Sequence, residues 1–133
     1  MNNVEKLLAK YKNHTFQSST CETQEWRTFC TKLKNTMKQD ISESYPDLEI
    51  SAWSKGHFYV SGFITRKSDG AIFYFSIGDV RGWNVATSYQ MYRSARHLKD
   101  YIGGINRHCL AGDFLKMIAT ERYEFVERID EHD

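Results

Sequence analysis

Residues 48–77 read LEISAWSKGHFYVSGFITRKSDGAIFYFSI, and apolar residues alternate with other residues along most of this stretch. A period of two residues is typical of β-strands that bury one face against a core. Turn signals at Gly56 and at Asp69-Gly70 divide the stretch into three segments. The stretch therefore predicts two consecutive β-hairpins in one antiparallel sheet.

The apolar residues of the first hairpin indicate which residues face each other. A three-residue loop with Gly56 in the left-handed region would pair Ala52 with Phe58. The same register pairs Ile50 with Val60, so that all four side chains share one face. A two-residue loop would split them between the two faces of the sheet. We therefore predict the three-residue loop.

The second hairpin contains Asp69-Gly70, a dipeptide typical of two-residue turns. Such a turn sets Ile64 opposite Phe75 and keeps both on the apolar face of the sheet. The other face is rich in aromatic residues, since it would carry Trp53, His57, Tyr59, Phe63, Ile72 and Tyr74. Exposed apolar patches of this kind mark contacts with another element or a partner. We expect a helix or a partner to cover part of this face.

Outside the hairpins, apolar residues recur with the period of α-helices. A short first helix is predicted from the stripe of Val4, Leu7, Leu8 and Tyr11. After a polar loop over 13–23, a second helix runs from Trp26 to Ile41, with Thr23 as its N-cap and an end before Pro46. A last helix, capped by Asp113, would carry an inner side of Phe114, Ile118, Phe125 and Ile129. Its outer, solvated side would carry the acids Glu121, Glu124, Glu127 and Asp130.

Residues 81–112 have a weaker pattern. We interpret 81–87 as a loop and 88–95 as either a fourth strand or an early helix. Gly103-Gly104 marks a tight turn or, alternatively, a cradle of amide groups for an anion. The elements together predict an α+β fold, in which a three- to four-stranded antiparallel sheet of two hairpins carries two N-terminal helices and one C-terminal helix mainly on one face. We expect one domain over residues 1–133, in which the short helix and polar loop of 1–22 have freedom to swing or dock.

Composition excludes several classes of protein. The 133 residues include 41% hydrophobic residues, a single proline and a net charge of only +1, unlike a disordered tail or a linker protein. The N-terminus lacks the apolar segment of a signal peptide, and no run of 18 apolar residues is present to span a membrane. Three cysteines, an odd number, fit reduced thiols. We expect a cytoplasmic protein with no membrane contact.

Charge is distributed unevenly along the chain. Residues 81–112 carry five positive charges and one negative charge, whereas 113–133 carry three and seven. Aromatic residues are interleaved with the cations, and we predict binding by Arg81, Trp83, Tyr92, Arg93, Arg96, His97, Lys99, Tyr101 and Arg107. Such a mixture suits a protein interface, or the phosphates and unpaired bases of a nucleic acid. In a third interpretation the aromatic residues belong to the core and the arginine heads pair with the acidic last helix.

Patterns of enzyme sites are largely missing from the sequence. It contains neither of the glycine-rich phosphate-binding motifs and no spacing of Cys and His typical of zinc. Cys30 falls on the apolar stripe of the second helix, and Cys109 lies beside His108, where a base would be needed to activate a thiol. Asp79 and Asp100 are the only acids near the basic segment, a weak basis for a metal-dependent nuclease. We therefore predict no catalytic residue, metal or cofactor, with a metal-dependent nuclease as the alternative if the chain is an enzyme.

Three runs of sequence, SAWSKGHFYVSGFITR, AIFYFSIGDVRGW and YRSARHLKDYIGG, carry a resemblance over residues 50–104. The chain resembles small accessory proteins of conjugative elements and related mobile DNA of Gram-positive bacteria. The resemblance implies no particular activity and no catalytic residue. It implies a context of counter-defence, such as inhibition of an RNA-guided or restriction nuclease of the host. We expect a non-enzymatic protein that binds such a complex by protein–protein contact, with direct nucleic-acid binding through residues 81–108 as the alternative.

Overall fold

The chain forms an α+β fold, as predicted, with one antiparallel sheet and α-helices on one of its faces. The computed structural model describes residues 2–11, 24–55, 59–78 and 89–127. The α-helices of this part are α1 (Asn3–Lys10), α2 (Gln24–Ser44) and α3 (Phe114–Thr120), and a 3₁₀ turn at Ala111–Asp113 precedes α3. The strands are β1 (Leu48–Lys55), β2 (Val60–Arg66), β3 (Ala71–Ile77), β4 (Tyr89–Ala95) and β5 (Arg107–Leu110). They lie side by side in chain order, so the sheet has five strands rather than three or four.

The core lies between the sheet and its helices. It joins Leu8 of α1, Phe29 of α2 and Phe114 of α3 to Phe73 and Phe75 of β3. Burial of each large apolar side chain stabilises the folded chain by about 1.5–3 kcal/mol. The longest stripe of buried side chains belongs to α2. The predicted layer of helices on one face is confirmed. In the part of the chain that the structure describes, none of the helices has the length and hydropathy of a bilayer span.

The start of α1 is held by α2. Asp40, a buried carboxylate of α2, accepts hydrogen bonds from the backbone amides of Asn3 and Val4 at 3.0 and 2.9 Å. Asn2 and Glu5 form a capping box at the same helix end. Both contacts satisfy amide groups that have no partner within the helix. The first helix is therefore docked, while the polar loop and the Thr23 cap lie outside the described residues.

The register of the first hairpin was predicted wrongly. Ile50 pairs with Ile64 rather than with Val60. The first strand continues to Lys55, which is the residue that pairs with Val60. The predicted pairing of Ala52 with Phe58 is therefore wrong as well, because Ala52 pairs further along β2.

A β-bulge explains the difference. It lies between Ile50 and Ala52 and shifts the register by one residue. Because side chains alternate along a strand, the bulge turns Ala52 onto the back face, opposite Phe63, and Trp53 onto the core face. The Trp53 ring packs 6.0 Å from that of Phe75, measured between centroids. Trp53 was predicted on the opposite face, and this assignment was wrong.

The second hairpin also has a longer turn than predicted. Ile64 lies opposite Phe73 rather than Phe75, because residues 67–70 form a four-residue turn. The Asp69 side chain stabilises this turn by accepting a hydrogen bond from the backbone amide two residues later, at 3.1 Å. A shift of two residues leaves each side chain on its own face, so the predicted core face is correct although the pairing is not.

The second half of the chain contains one confirmed strand, one strand that was not predicted and one shortened helix. Residues 89–95 form β4, which resolves the choice between strand and helix. The fifth strand was missed because it is only four residues long and follows two glycines. The last helix ends at Thr120 rather than continuing to Ile129, and the Asp113 side chain forms no cap hydrogen bond.

The chain beyond α3 returns to the sheet instead of continuing as a helix. The Tyr123 hydroxyl donates to the Ala95 carbonyl at 2.9 Å, and the Ile105 amide donates to the Val126 carbonyl at 3.1 Å. The predicted acidic helix face is therefore wrong for the acids of this segment, which are Glu121, Glu124 and Glu127. Tertiary hydrogen bonds replace those that further helix would have supplied.

Candidate functional site

The structure describes seven of the nine predicted binding residues and separates them by role. Arg81 and Trp83 lie outside the described residues. Four of the seven contribute to the fold, namely Tyr92, Arg93, Arg96 and Arg107. The other three, namely His97, Lys99 and Tyr101, are exposed, as is Arg96. All four belong to the connection between β4 and β5.

Arg93 anchors this connection from below. Its guanidinium carbon lies 4.6 Å from the centre of the Tyr74 ring, within the range of a cation–π contact. It donates hydrogen bonds to the Tyr101 carbonyl and, at 3.2 Å, to the Asn106 side chain. Arg93 is itself buried, so its charge holds the two halves of the connection together rather than meeting solvent.

Arg96 and Asp100 form the second anchor. The buried Asp100 carboxylate accepts hydrogen bonds from the Arg96 amide and Nε at 3.0 and 2.8 Å, and from the Gly103 amide at 3.0 Å. Side-chain hydrogen bonds from Arg96 hold the pKa of Asp100 well below its usual range. The half-exposed Arg96 also lies over the Phe125 ring, at 5.0 Å. The connection is therefore pinned at both ends by charge-assisted hydrogen bonds.

Tyr92 and Arg107 belong to the interior side of the sheet. Tyr92 is buried against Phe114, with ring centroids 6.1 Å apart, and burial raises the pKa of its hydroxyl to about 12. Arg107 pairs with Glu121, just after α3. The interpretation in which aromatic residues enter the core and arginine heads pair with acids of the last helix therefore holds at these two positions, except that Glu121 follows α3 instead of belonging to it.

Large apolar side chains project from the pinned connection into solvent. They are Leu98, Tyr101, Ile102 and Ile105, and Val126 adjoins them through the backbone hydrogen bond from Ile105. We call these five residues the apolar ridge. They are between 39% and 65% exposed, and they make up five of the seven exposed large apolar side chains in the described residues. Clusters of this kind mark interaction sites in proteins.

The aliphatic members of the ridge were missed in the sequence. Leu98, Tyr101, Ile102 and Ile105 recur at i, i+3, i+4 and i+7, a spacing that predicts a buried helical stripe. The connection is not helical, because Gly103 has a φ of +61° and its amide is bound to Asp100. The spacing was therefore a detectable signal, although its usual interpretation places the same side chains in the core.

Tyr101 also covers part of the aromatic back face. Its ring centroid lies 5.5 Å from that of Phe63 and 6.2 Å from that of Tyr74. Phe63 is thereby buried, and a shallow cavity of about 240 Å³ remains beside it, lined in part by Ala52 and Ser61. The expectation that another element covers part of the back face holds, and the element over Phe63 and Tyr74 is this connection rather than a helix.

The glycine pair offers no free amides for an anion. The Gly103 amide donates to the Asp100 side chain, and the Gly104 amide donates to the Ser94 carbonyl at 2.9 Å. The tight-turn interpretation of Gly103-Gly104 is therefore correct.

The reactive groups considered in the sequence are kept apart by the strand geometry. Cys109 faces the core, where burial raises the pKa of its thiol to about 12, whereas His108 is exposed on the other face of β5. Cys30 is buried in α2, as predicted. Asp79 lies outside the described residues. Within the described ranges, no group of three or more His, Cys, Asp or Glu side chains is arranged to hold a metal ion.

Comparisons of the chain with protein-family models, with curated proteins and with solved structures found no significant match.

Proposed function

We propose that this chain is a non-enzymatic binding protein that inserts the apolar ridge into an apolar pocket of a partner protein. The observation that supports this most directly is the fixed presentation of exposed apolar side chains on a connection held by Arg93 and Asp100. A surface ordered before binding loses little conformational entropy on association, which favours affinity. Tyrosine and large aliphatic residues at the centre of such a patch are typical anchors of protein interfaces.

Direct nucleic-acid binding by the same surface has less support. Arg93 and Arg107 direct their charge into the fold, and Arg96 shares its charge with Asp100. Leu98 and Ile102 are aliphatic, so they offer neither charge to a phosphate nor a ring to a base. The remaining free cation of the connection is Lys99. We therefore place a protein rather than a nucleic acid on the apolar ridge.

The resemblance of residues 50–104 to accessory proteins of mobile elements extends this proposal. The stretch includes most of the apolar ridge. We propose that the partner belongs to a host nucleic-acid-handling complex, such as an RNA-guided or restriction nuclease, and that the chain inhibits or modulates it.

The experiment compares two charge-introducing variants at highly exposed apolar positions. Ile102→Lys alters the ridge, and Tyr89→Lys is the matched control at the other end of β4, since Ile102 is 64% and Tyr89 74% exposed. Tagged proteins are used to recover partners from bacterial lysate with and without nuclease treatment, and the partner identified by mass spectrometry is then purified for calorimetry. We expect Ile102→Lys to weaken its binding at least about 30-fold, equivalent to about 2 kcal/mol, and Tyr89→Lys to bind like the wild type.

Two outcomes would contradict the proposal. Undiminished binding by Ile102→Lys would remove the ridge as the interface. Recovery of nucleic acid alone from the untreated lysate, lost at moderate salt, with no protein partner recovered from either lysate, would remove the proposed protein partner. Arg96→Glu is not a suitable test, because it also breaks the contact with Asp100 that holds the connection.

A further inference from the structure

The solvent face of α2 borders hollows that are lined by cations. Three adjoining hollows of about 440–500 Å³ lie along this helix and share lining residues. Their charged lining residues are Lys10, Arg27, Lys32, Lys34, Lys38 and Lys55. Among the described residues that line them, none is Asp or Glu. We call these six cations the basic face.

Three lysines of the basic face differ from Arg66 and Arg96 in their ion pairing. Lys34, Lys38 and Lys55 form no ion pair with any residue of the described ranges. Arg66 and Arg96, by contrast, are bound by neighbouring carboxylates. In a chain with a net charge of only +1, these three lysines, which have no ion pair within the described ranges, produce a local positive field that favours an anionic partner.

Three of the six cations lie on one line along the helix. Arg27, Thr31, Lys34 and Lys38 are spaced i, i+4, i+7 and i+11, which places them on one stripe about 16 Å long. Lys55 and the partly exposed Trp53 of β1 border the same hollow as Lys34 and Lys38. A linear row of cations beside an aromatic ring matches the arrangement by which proteins hold single strands, with phosphates on cations and a base on a ring.

The residue types on the basic face favour a nucleic acid over an acidic protein as its partner. None of the exposed large apolar side chains of the described residues lies on α1, α2 or β1, where they would be needed to anchor a protein. Thr31 and Asn35 supply hydroxyl and amide groups between the cations, of the kind that contact phosphate and sugar. Nucleic-acid interfaces are more polar and more positive than protein interfaces.

We propose that the basic face of α2 binds single-stranded nucleic acid through its phosphate backbone. This site lies on the helical face of the sheet, whereas Tyr101 of the apolar ridge covers the back face. A partner bound at one surface therefore does not block the other surface. The chain can hold a nucleic acid on one side while a protein partner occupies the other.

The test uses the full chain and a fluorescein-labelled 20-nucleotide oligothymidylate, with oligouridylate in parallel, in anisotropy titrations at several salt concentrations. Lys34→Glu/Lys38→Glu is compared with Lys67→Glu/Lys116→Glu, which changes the net charge equally at exposed positions outside the basic face. We expect the first pair to weaken binding at least about ten-fold and to lower the slope of log Kd against log salt by about two. The second pair, and Ile102→Lys, should bind like the wild type.

Each other outcome overturns the proposal. Equal losses in both double variants would show a response to net charge rather than to this face. No salt-dependent binding by a wild-type chain with normal circular dichroism would remove the site. If polyglutamate displaces the oligonucleotide as effectively, charge for charge, the face is a docking site for acidic proteins instead. Because Ile102→Lys acts only on the apolar ridge, failure here is distinguishable from failure of the proposed function.

Discussion

Replacement of Arg66 by methionine should remove a link between the sheet and the end of α3. The Arg66 guanidinium is buried and donates hydrogen bonds to the carbonyls of Ile118 and Glu121 at 2.7 and 2.6 Å. These carbonyls are at the C-terminal end of a helix, where no further amide follows to bind them. The same side chain pairs with Asp69 at 2.7 Å and lies over the Phe73 ring at 5.5 Å.

The size of the effect depends on which of these contacts matters. A buried acceptor left without its donor costs about 1–3 kcal/mol. The Ile118 contact is buried but the Glu121 contact is only partly buried, so loss of both should cost about 2–4 kcal/mol in total. The ion pair should contribute under about 1 kcal/mol, because the Asp69 side chain is 47% exposed. Methionine retains most of the apolar stem of arginine, so packing over Phe73 changes little. The larger part of the loss should therefore come from the end of α3.

Urea unfolding followed by circular dichroism measures this difference. Asp69→Asn is the matched control, since it removes the carboxylate charge but retains an oxygen for the Ala71 amide. We expect the free energy of unfolding to fall by about 2–4 kcal/mol for Arg66→Met and by under about 1 kcal/mol for Asp69→Asn. Equal losses in the two variants would refute the reasoning, because they would assign the stabilisation to the ion pair.

Three further predictions concern the β4–β5 connection and the core. Gly103→Ala should destabilise the chain more than Gly70→Ala in urea unfolding. Both glycines have positive φ, but a Cβ at Gly103 would lie 2.6 Å from Arg93 Nε, whereas one at Gly70 would have nothing within 4 Å. Equal losses of stability would show that Arg93 moves aside freely. The protein should lose stability as the pH falls below 3.8, the usual pKa of an aspartate, because the pKa of Asp100 is lower in the folded chain than in the unfolded chain. Asp100→Asn should make this pH dependence of the free energy of unfolding shallower, and an unchanged slope would contradict the role of Asp100. Cys109 should escape alkylation by iodoacetamide at pH 8 and react after unfolding, because burial raises the pKa of its thiol to about 12. Labelling of Cys109 itself in the native protein, located by peptide mass spectrometry, would show that the core opens at β5.

Short-range patterns in the sequence were sufficient for the elements with strong periods. The stripes of α1 and α2 and the alternation in β2 and β3 predicted these elements and the buried sides of both helices, because each pattern reflects a repeated contact with the core. The pairing of the strands was less accessible. A bulge after Ile50 and a four-residue turn at 67–70 each change the register. The local sequence contained no pattern that predicted the bulge.

The candidate binding surface shows the same division. The sequence identified the basic and aromatic character of residues 81–112, but it did not distinguish arginines that meet solvent from those that hold the fold. Arg93 and Arg107 became structural because Tyr74 and Glu121, distant in the chain, lie beside them. The apolar residues that remain exposed follow a spacing that predicts a buried helix.

By itself, the sequence determined the α+β class, the two N-terminal helices and the face of the hairpins that enters the core. These properties depend on the period of apolar residues, which is local and is already present in the unfolded chain. Only the tertiary structure decided where α3 ends, which face Trp53 occupies and which side chains of the β4–β5 connection stay exposed. Each of these depends on contacts between residues far apart in the chain, such as Arg66 with the carbonyl of Ile118. Such contacts exist only once the sheet and its helices are assembled.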